Sequence, residues 1–160
     1  QNSSSPREGR LASISGVEVG EAPGGLLAVG SHDGFERSHG IIHHRKLYLK
    51  TGGANLRGAD HLEYTGAPGE IPNLAVIRFH LHPKVTAAML ANGSVLMKIR
   101  GSRVGWNFKA DGAIAEIDNS VYFEDGVRQS SQQIVLKAVI NDIRTTGSHE
   151  VRWAFSRGTQ

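Results

Sequence analysis

The chain has 160 residues and no Cys, with 18 Lys and Arg against 15 Asp and Glu and a net charge of +3. The absence of Cys excludes a disulfide scaffold, a thiolate zinc site and a cysteine nucleophile. The positive charges are dispersed among acidic residues, so we expect no nucleic-acid partner. No apolar run approaches the roughly 18 residues of a membrane-spanning helix, so we expect no membrane partner either.

At this length we expect a single domain over residues 1–160, with enough chain to bury a hydrophobic core. The first residues, Gln1 to Pro6, form a polar run that has neither an initiating Met nor the pattern of a signal peptide. We therefore expect the chain to be a fragment of a larger protein.

Apolar and polar residues alternate along most of the chain, which is the pattern of half-buried β-strands. In chain order, the first alternation runs from Leu11 to Val17, a short apolar run covers Leu26 to Val29, and a second alternation runs from Ile41 to Leu49. Residues 74–82 are rich in β-branched and aromatic side chains and end at Pro83, which cannot donate to a sheet ladder. These segments predict strands.

Asn-Gly and Asp-Gly dipeptides predict tight turns between the later strands. The turns are Asn92-Gly93, Asp111-Gly112 and Asp125-Gly126, and the strands around them are Val85–Leu90, Val95–Ile99, Gly105–Lys109, Ala113–Ile117 and Val121–Phe123. Gln132–Ile140 and Glu150–Phe155 complete the set. The one helix candidate, Val85–Ala91, is interpreted as a strand because turns flank it. The pattern predicts an all-β antiparallel fold, either a sandwich or a barrel.

Histidine is the unusual feature of the composition, with eight residues. Five of them lie in strand-like segments or beside one: His32, His43, His44, His80 and His82. On an extended strand, Arg78, His80 and His82 project to one face while Ile77, Phe79 and Leu81 project to the other. The remaining three, His39, His61 and His149, lie in turn-like contexts and are expected at the surface.

Three interpretations of these histidines remain open. His80 and His82 could share a metal if Asp33, Asp60 or His43 supplied a third ligand, which would make the protein a histidine-dependent metalloenzyme. They could instead hydrogen-bond to backbone and carboxylate groups across the sheets. They could also line a groove for an acidic sugar together with Arg78.

No catalytic motif is present: the sequence has no nucleophile elbow, phosphate-binding glycine loop or His-Glu-x-x-His helix. No pair of carboxylates stands out from surface charge, so we assign no catalytic residue. Trp106 alternates with Phe108, and Trp153 with Phe155, which favours core positions over a platform for sugar stacking.

Six segments of the chain, taken in order, resemble the carboxyl-terminal part of bacterial heparinase II/III-like proteins. The most specific of them is Arg-Phe-His-Leu-His-Pro at residues 78–83. The others are Ser-His-Asp-Gly-Phe (31–35), His-Arg-Lys-Leu-Tyr-Leu (44–49), Leu-Arg-Gly-Ala-Asp (56–60), Gly-Trp-Asn-Phe (105–108) and Gln-Gln-Ile-Val (132–135).

The resemblance implies an antiparallel β-sandwich with short hairpin connections, following an amino-terminal α/α toroid in the parent protein. It implies that the parent is a polysaccharide lyase, a carbon–oxygen lyase that cleaves uronate-containing polysaccharides such as glycosaminoglycans by β-elimination. The ligand implied for this chain is an acidic polysaccharide, contacted by His32, Arg45, Arg78, His80 and His82. A periplasmic or secreted location is also implied.

The family's catalytic Tyr belongs to the toroid, and its catalytic and zinc-binding His/Asp motifs precede the segment that Asn2-Ser3-Ser4 resembles. The resemblance therefore implies no catalytic residue, no metal ligand and no cofactor in this chain, and it places any zinc in the parent. We expect the chain to support the substrate cleft and to be inactive alone. The alternative function is a self-standing carbohydrate-binding module that uses aromatic side chains such as Trp106.

Overall fold

The computed structural model describes residues 12–158, so Leu11 and the Asn2-Ser3-Ser4 segment lie outside the described residues. Its strands, in chain order, are β1 (Ile14–Ala22), β2 (Gly25–Phe35), β3 (Ile41–Lys50), β4 (Asn55–Tyr64), β5 (Leu74–His80), β6 (Val85–Met89), β7 (Val95–Ile99), β8 (Gly105–Asp111), β9 (Ile114–Glu124), β10 (Val127–Val139) and β11 (Ser148–Arg157). Two single-turn helices, α1 (Glu36–His39) and α2 (Ile143–Thr146), are also present. Neither is long or apolar enough to cross a membrane.

The strands form two antiparallel sheets of unequal size, which confirms the predicted β-sandwich. The large sheet has eight strands in the order β1-β2-β3-β4-β11-β8-β7-β6, and the small sheet has three in the order β5-β10-β9. In the large sheet, β11 lies between β4 and β8. Because the small sheet is narrower, it covers only part of the inner face of the large one and leaves the β1 end open.

The core lies between the two sheets and is rich in aromatic rings. Phe108, Ile134 and Leu136 are almost completely buried. The Phe79 ring lies 4.7 Å from the Trp153 ring and 5.5 Å from the Phe155 ring, measured between centroids. Trp106 is half-buried and packs against this core. The prediction that the aromatic residues serve the core is therefore confirmed.

Two of the three predicted hairpins form. Gly93, with φ of 77°, lies in the turn between β6 and β7, which pair with each other. Asp125 and Gly126 both have positive φ, 51° and 77°, and connect the paired residues Glu124 and Val127. Two successive positive φ values are the requirement of a type I′ hairpin turn. The strand interpretation of Val85–Ala91 is also confirmed, over Val85–Met89.

The predicted hairpin at Asp111-Gly112 is wrong. The strand before it, β8, pairs with β7 and β11 in the large sheet, whereas the strand after it, β9, pairs with β10 in the small sheet. This turn therefore carries the chain from one sheet to the other. Gly112 has φ of 78°, and a Cβ atom there would lie 2.3 Å from the carbonyl oxygen of Glu150. The dipeptide permits the tight turn, but local sequence does not say which strand pairs with which.

Strand β4 was not predicted, because its alternation is interrupted. The residues that face inward include Gly58 and Asp60, which are rare choices for the buried face of a strand. Both positions are explained by side chains that approach from other strands, as described below.

Candidate functional site

A cavity of about 480 Å³ lies between the free edge of β5 and the inner face of β2, β3 and β4. We call it the inner cavity. Apolar side chains such as Ile41, Leu62 and Ile77 form part of its wall. Its polar and charged lining side chains are His32, His39, His43, Arg45, Asp60 and Arg78.

The strand register brings four of these side chains together. His32 on β2 pairs with His43 on β3, and Arg45 on β3 pairs with Asp60 on β4. Residues directly opposite each other on adjacent strands share a face, and so do residues two apart on one strand. The four side chains therefore form one polar cluster on the inner face of the large sheet.

Asp60 is the centre of this cluster, and the residue is fully buried. Its Oδ1 accepts hydrogen bonds from His43 Nε2 and Arg45 Nε, each at 2.6 Å, and its Oδ2 accepts one from Trp153 Nε1 at 2.7 Å. Burial alone would raise the pKa of Asp60, but the hydrogen bonds from His43, Arg45 and Trp153 outweigh it and lower the pKa. The group is therefore a carboxylate at neutral pH.

The two histidines form a chain of hydrogen bonds that ends on this carboxylate. The Gly34 backbone N–H donates to His32 Nδ1 at 3.2 Å, so a neutral His32 carries its proton on Nε2. His32 Nε2 then donates to His43 Nδ1 at 2.9 Å, and His43 Nε2 donates to Asp60. The hydrogen-bond pattern fixes the tautomer of both rings.

We expect His32 to titrate below its ordinary pKa of 6.5. Burial is the main cause of the lowered pKa, the electrostatic influence of His43 and Arg45 lowers it further, and Asp33 opposes the shift. A lowered folded pKa means that the unfolded chain binds the proton more readily than the folded chain. The contribution of His32 to the free energy of unfolding is therefore fully present above pH 6.5 and is lost as the pH falls from 6.5 through the folded pKa. NMR titration of the imidazole measures the pKa of His32. The substitution His32→Gln should weaken the dependence of the free energy of unfolding on pH. A titration midpoint at or above 6.5 would contradict the assignment.

The mouth of the inner cavity carries a cation and an aromatic ring. Arg78 on the edge strand β5 is exposed, and its guanidinium has no hydrogen bond or ion pair with any residue from 12 to 158. Phe35, at the end of β2, is 46% exposed, with its ring centroid 5.4 Å from that of His32 and 6.4 Å from that of His39. Both groups are available to a ligand.

Comparison with known proteins identifies the family. The chain matches the family model described as heparinase II/III-like, C-terminal, over residues 1–154. The chain belongs to this family. Among curated proteins, it is 34% identical over 133 residues to FtsZ-localized protein C of Caulobacter vibrioides, a match that covers 79% of this chain and 22% of that protein. The chain thus spans about a fifth of the length of this relative.

Two solved structures share the fold of this heparinase II/III-like domain. The heparinase III BT4657 gene product matches with a TM-score of 0.69 at 8% identity, over 96% of this chain and 22% of its own. A crystal structure of heparinase III matches with a TM-score of 0.61 at 12% identity, over 91% of this chain and 21% of its own. At these identities the similarity concerns the fold alone.

The heparinase II/III-like domain brings together three of its five expected ligand residues, His32, Arg45 and Arg78, around the inner cavity. His80 and His82 do not line this cavity. His80 Nδ1 lies 2.8 Å from the Ser120 hydroxyl, while the His82 ring packs edge-on against the Tyr122 ring at 4.9 Å.

The alternative of a metal site at His80 and His82 is not assembled in the described part of this domain. Across the described residues, no three His, Asp or Glu side chains are grouped so that they could hold a metal ion. Of the proposed third ligands, His43 and Asp60 are hydrogen-bonded to each other, while His80 bonds to Ser120. The residues that the structure describes therefore assemble no site that fits a zinc ion.

The sequence analysis missed several contributors to the inner cavity. His39, expected at the surface, is half-buried in the cavity wall, where its Nδ1 donates to the Glu70 carbonyl at 2.6 Å. His61 and His149 do not line the cavity, but they too are half-buried where surface positions were expected. The His61 ring packs against the His44 ring, and His149 Nε2 donates to the Gly112 carbonyl. Phe35 had no assigned role. Asp60 entered the sequence analysis only as a possible metal ligand. Recognising β4 as a strand would have placed Asp60 on a buried face, where a carboxylate requires hydrogen-bond donors.

Proposed function

We propose that this chain is the carboxyl-terminal β-sandwich of a polysaccharide lyase and that its inner cavity binds an acidic glycan, while catalysis depends on the rest of the parent protein. The observation that carries the proposal is the mouth of the cavity, where the unpaired Arg78 guanidinium and the exposed Phe35 ring flank the buried cluster around Asp60. The family description and the name of both matched structures, heparinase, support a polysaccharide ligand.

Arg78 is the residue that we propose to bind the carboxylate or sulfate of the glycan. Arg45 also lines the cavity, but Asp60 already neutralises its charge at 2.6 Å. Guanidinium groups bind carboxylate and sulfate with two parallel hydrogen bonds, and no acceptor within residues 12–158 engages the guanidinium donors of Arg78. The ligand would therefore meet one uncompensated positive charge at the edge of β5.

Phe35 is the residue that we propose to contact the sugar ring. Aromatic faces pack against the apolar C–H face of a pyranose, and the surrounding polar groups then orient the sugar. The neighbouring His32 and His39 rings hold Phe35 at the cavity mouth.

The base for β-elimination is proposed to come from the toroid of the parent. Within the cavity cluster, both nitrogens of His43 and both oxygens of Asp60 are already engaged in hydrogen bonds. These groups hold the wall of the cleft in place and leave proton abstraction to the other domain. The parent would encounter its substrate in the periplasm or outside the cell.

Calorimetric titration with a heparin-derived hexasaccharide tests glycan binding. We expect Arg78→Gln to weaken binding about ten-fold, because one charge-assisted contact is lost. Arg128→Gln is the matched control, since Arg128 on β10 is also exposed and its guanidinium has no hydrogen-bond or ion-pair partner within residues 12–158. It should change the affinity less than about two-fold.

Equal losses in the two variants would show that binding follows overall charge and would contradict the assignment of the inner cavity.

The proposal that catalysis depends on the rest of the parent protein has a separate test, the absorbance of unsaturated uronate product. The parent protein should generate this absorbance from an acidic polysaccharide, and the 160-residue chain should not. Turnover by the isolated chain would overturn this part of the proposal.

A further inference from the structure

The outer face of the large sheet carries a shallow groove of about 540 Å³ that we call the outer groove. Two rows of side chains line it, each running across the strands. One row places Leu27, Tyr48, Arg57, Ala154 and Lys109 side by side on β2, β3, β4, β11 and β8. The next row contains Lys46, Ala59, Arg152 and Asp111. Since Lys46 and Ala59 are sequence neighbours of Arg45 and Asp60, they project to the face opposite the inner cavity.

The rim of the outer groove is positively charged. Lys46 and Lys109 are exposed, and neither ammonium group has a hydrogen bond or ion pair with another described residue. Arg57 donates only to the neutral Asn55 side chain, at 2.9 Å. Arg152 is paired with Glu150 at 2.6 Å. Three of the four basic side chains therefore have no carboxylate partner among residues 12–158.

The floor of the outer groove is apolar and nearly flat. Ala59 and Ala154 are short side chains between longer neighbours, and Leu27 closes one end with 38% of its surface exposed. The lining contains no Ser, Thr, Asn or Gln side chain, and the Tyr48 hydroxyl already donates to the Pro23 carbonyl at 3.0 Å. The floor therefore offers a ligand apolar surface, which suits the packing of apolar side chains.

We propose that the outer groove binds an acidic amphipathic segment of a partner protein. Its apolar side chains would pack on the alanine floor while its carboxylates pair with Lys46, Arg57 and Lys109. Five strands at a spacing of about 4.8 Å span about 19 Å, which matches about 13 residues of α-helix. Opposite charge around an apolar centre is the usual arrangement of a specific protein interface. This proposal does not depend on glycan binding at the inner cavity.

A synthetic helical peptide of about 18 residues, with Leu on one face and Glu on the other, is the probe. Its binding to the chain is followed by fluorescence anisotropy. The double variant Lys46→Glu/Lys109→Glu should weaken binding at least about ten-fold, because two attractive pairs become repulsive. The control Arg100→Glu/Arg128→Glu changes the net charge equally at exposed sites outside the groove and should alter affinity less than about two-fold.

The apolar floor has its own variant and its own control peptide. Leu27→Ser leaves the charge unchanged and, because Leu27 is partly exposed, should leave the fold intact while weakening binding about three-fold or more. A peptide with Ser in place of every Leu should bind much more weakly. Thermal unfolding of each variant confirms folding, and Lys46→Gln/Lys109→Gln replaces the charge reversal if that variant is unfolded.

Three results would overturn the proposal. The first is equal weakening by the groove variant and its control, which would indicate non-specific charge. The second is equal binding of the Leu and Ser peptides, or displacement of the Leu peptide by a heparin hexasaccharide, which would indicate a polyanion surface. The third is the absence of saturable binding up to about 1 mM peptide.

Discussion

Asp60→Ala is expected to lower the free energy of unfolding by about 3 kcal/mol, which is the lower end of the range for breaking a buried ion pair. The substitution leaves the buried Trp153 N–H and the His43 N–H without their acceptor. Arg45 keeps 39% of its side chain exposed and can regain water, which is why we choose the lower end. Urea denaturation measures the effect.

The control for this prediction is Asp111→Ala, an exposed aspartate on β8 for which we expect a change within about 0.5 kcal/mol. Similar losses for Asp60→Ala and Asp111→Ala would contradict the role of Asp60 as the shared acceptor.

The stabilisation by Asp60 should also depend on pH, in a direction fixed by its lowered pKa. A carboxylate with a lowered folded pKa adds stability that is complete above its unfolded value of 3.8 and is lost as the pH falls through the folded pKa. The difference in unfolding free energy between the wild type and Asp60→Asn should therefore be constant near neutral pH and shrink in acid. A difference that grows as the pH falls towards 3.8 would show that the pKa is raised.

Gly58→Ala is expected to lower the free energy of unfolding by about 2–3 kcal/mol through overpacking. A Cβ atom on Gly58 would lie 2.1 Å from Cζ2 of the Trp153 indole. The indole cannot retreat, because its N–H is bonded to Asp60 and its ring packs against Phe79 with 4.7 Å between centroids. Gly20→Ala on β1 is the control, since a Cβ atom there meets nothing within 4 Å.

A double-mutant cycle separates this steric effect from the general cost of changing a strand glycine. In a Trp153→Leu background the obstructing ring is gone, so Gly58→Ala should cost much less. The same cost in both backgrounds would mean that Trp153 is not what excludes a side chain at position 58.

Most of the strands could be predicted from the sequence, because alternation and turn dipeptides are local signals. The hairpins at Asn92-Gly93 and Asp125-Gly126 depend only on the residues around them, and both form. Strand β4 was missed because Gly58 and Asp60 make sense only beside Trp153, which lies 93 residues after Asp60. The transfer between sheets at Asp111-Gly112 likewise depends on distant strands.

The candidate site was only partly predictable, because its residues are brought together by strand pairings that local sequence does not specify. His32, Arg45 and Arg78 were identified as ligand residues. His32 and Arg45 meet because the registers of β2 with β3 and of β3 with β4 align them with Asp60, whereas Arg78 reaches the same cavity from β5 in the small sheet. His80 and His82 share a motif with Arg78 but lie elsewhere, since β5 ends at His80 and leaves His82 beyond the strand. Closeness along the chain was a poor guide to closeness in space.

The position of β11 determines when the large sheet can be completed during synthesis. Strands β1–β4 and β6–β8 leave the ribosome first, as two separate parts of a sheet, and each part has one edge that awaits residues 148–157. Unpaired edges are sites of aggregation, so a nascent chain stalled before residue 148 would expose two of them, on β4 and on β8. The same late strand delivers Trp153 to Asp60, so the buried carboxylate gains its last donor only when translation of this segment is finished.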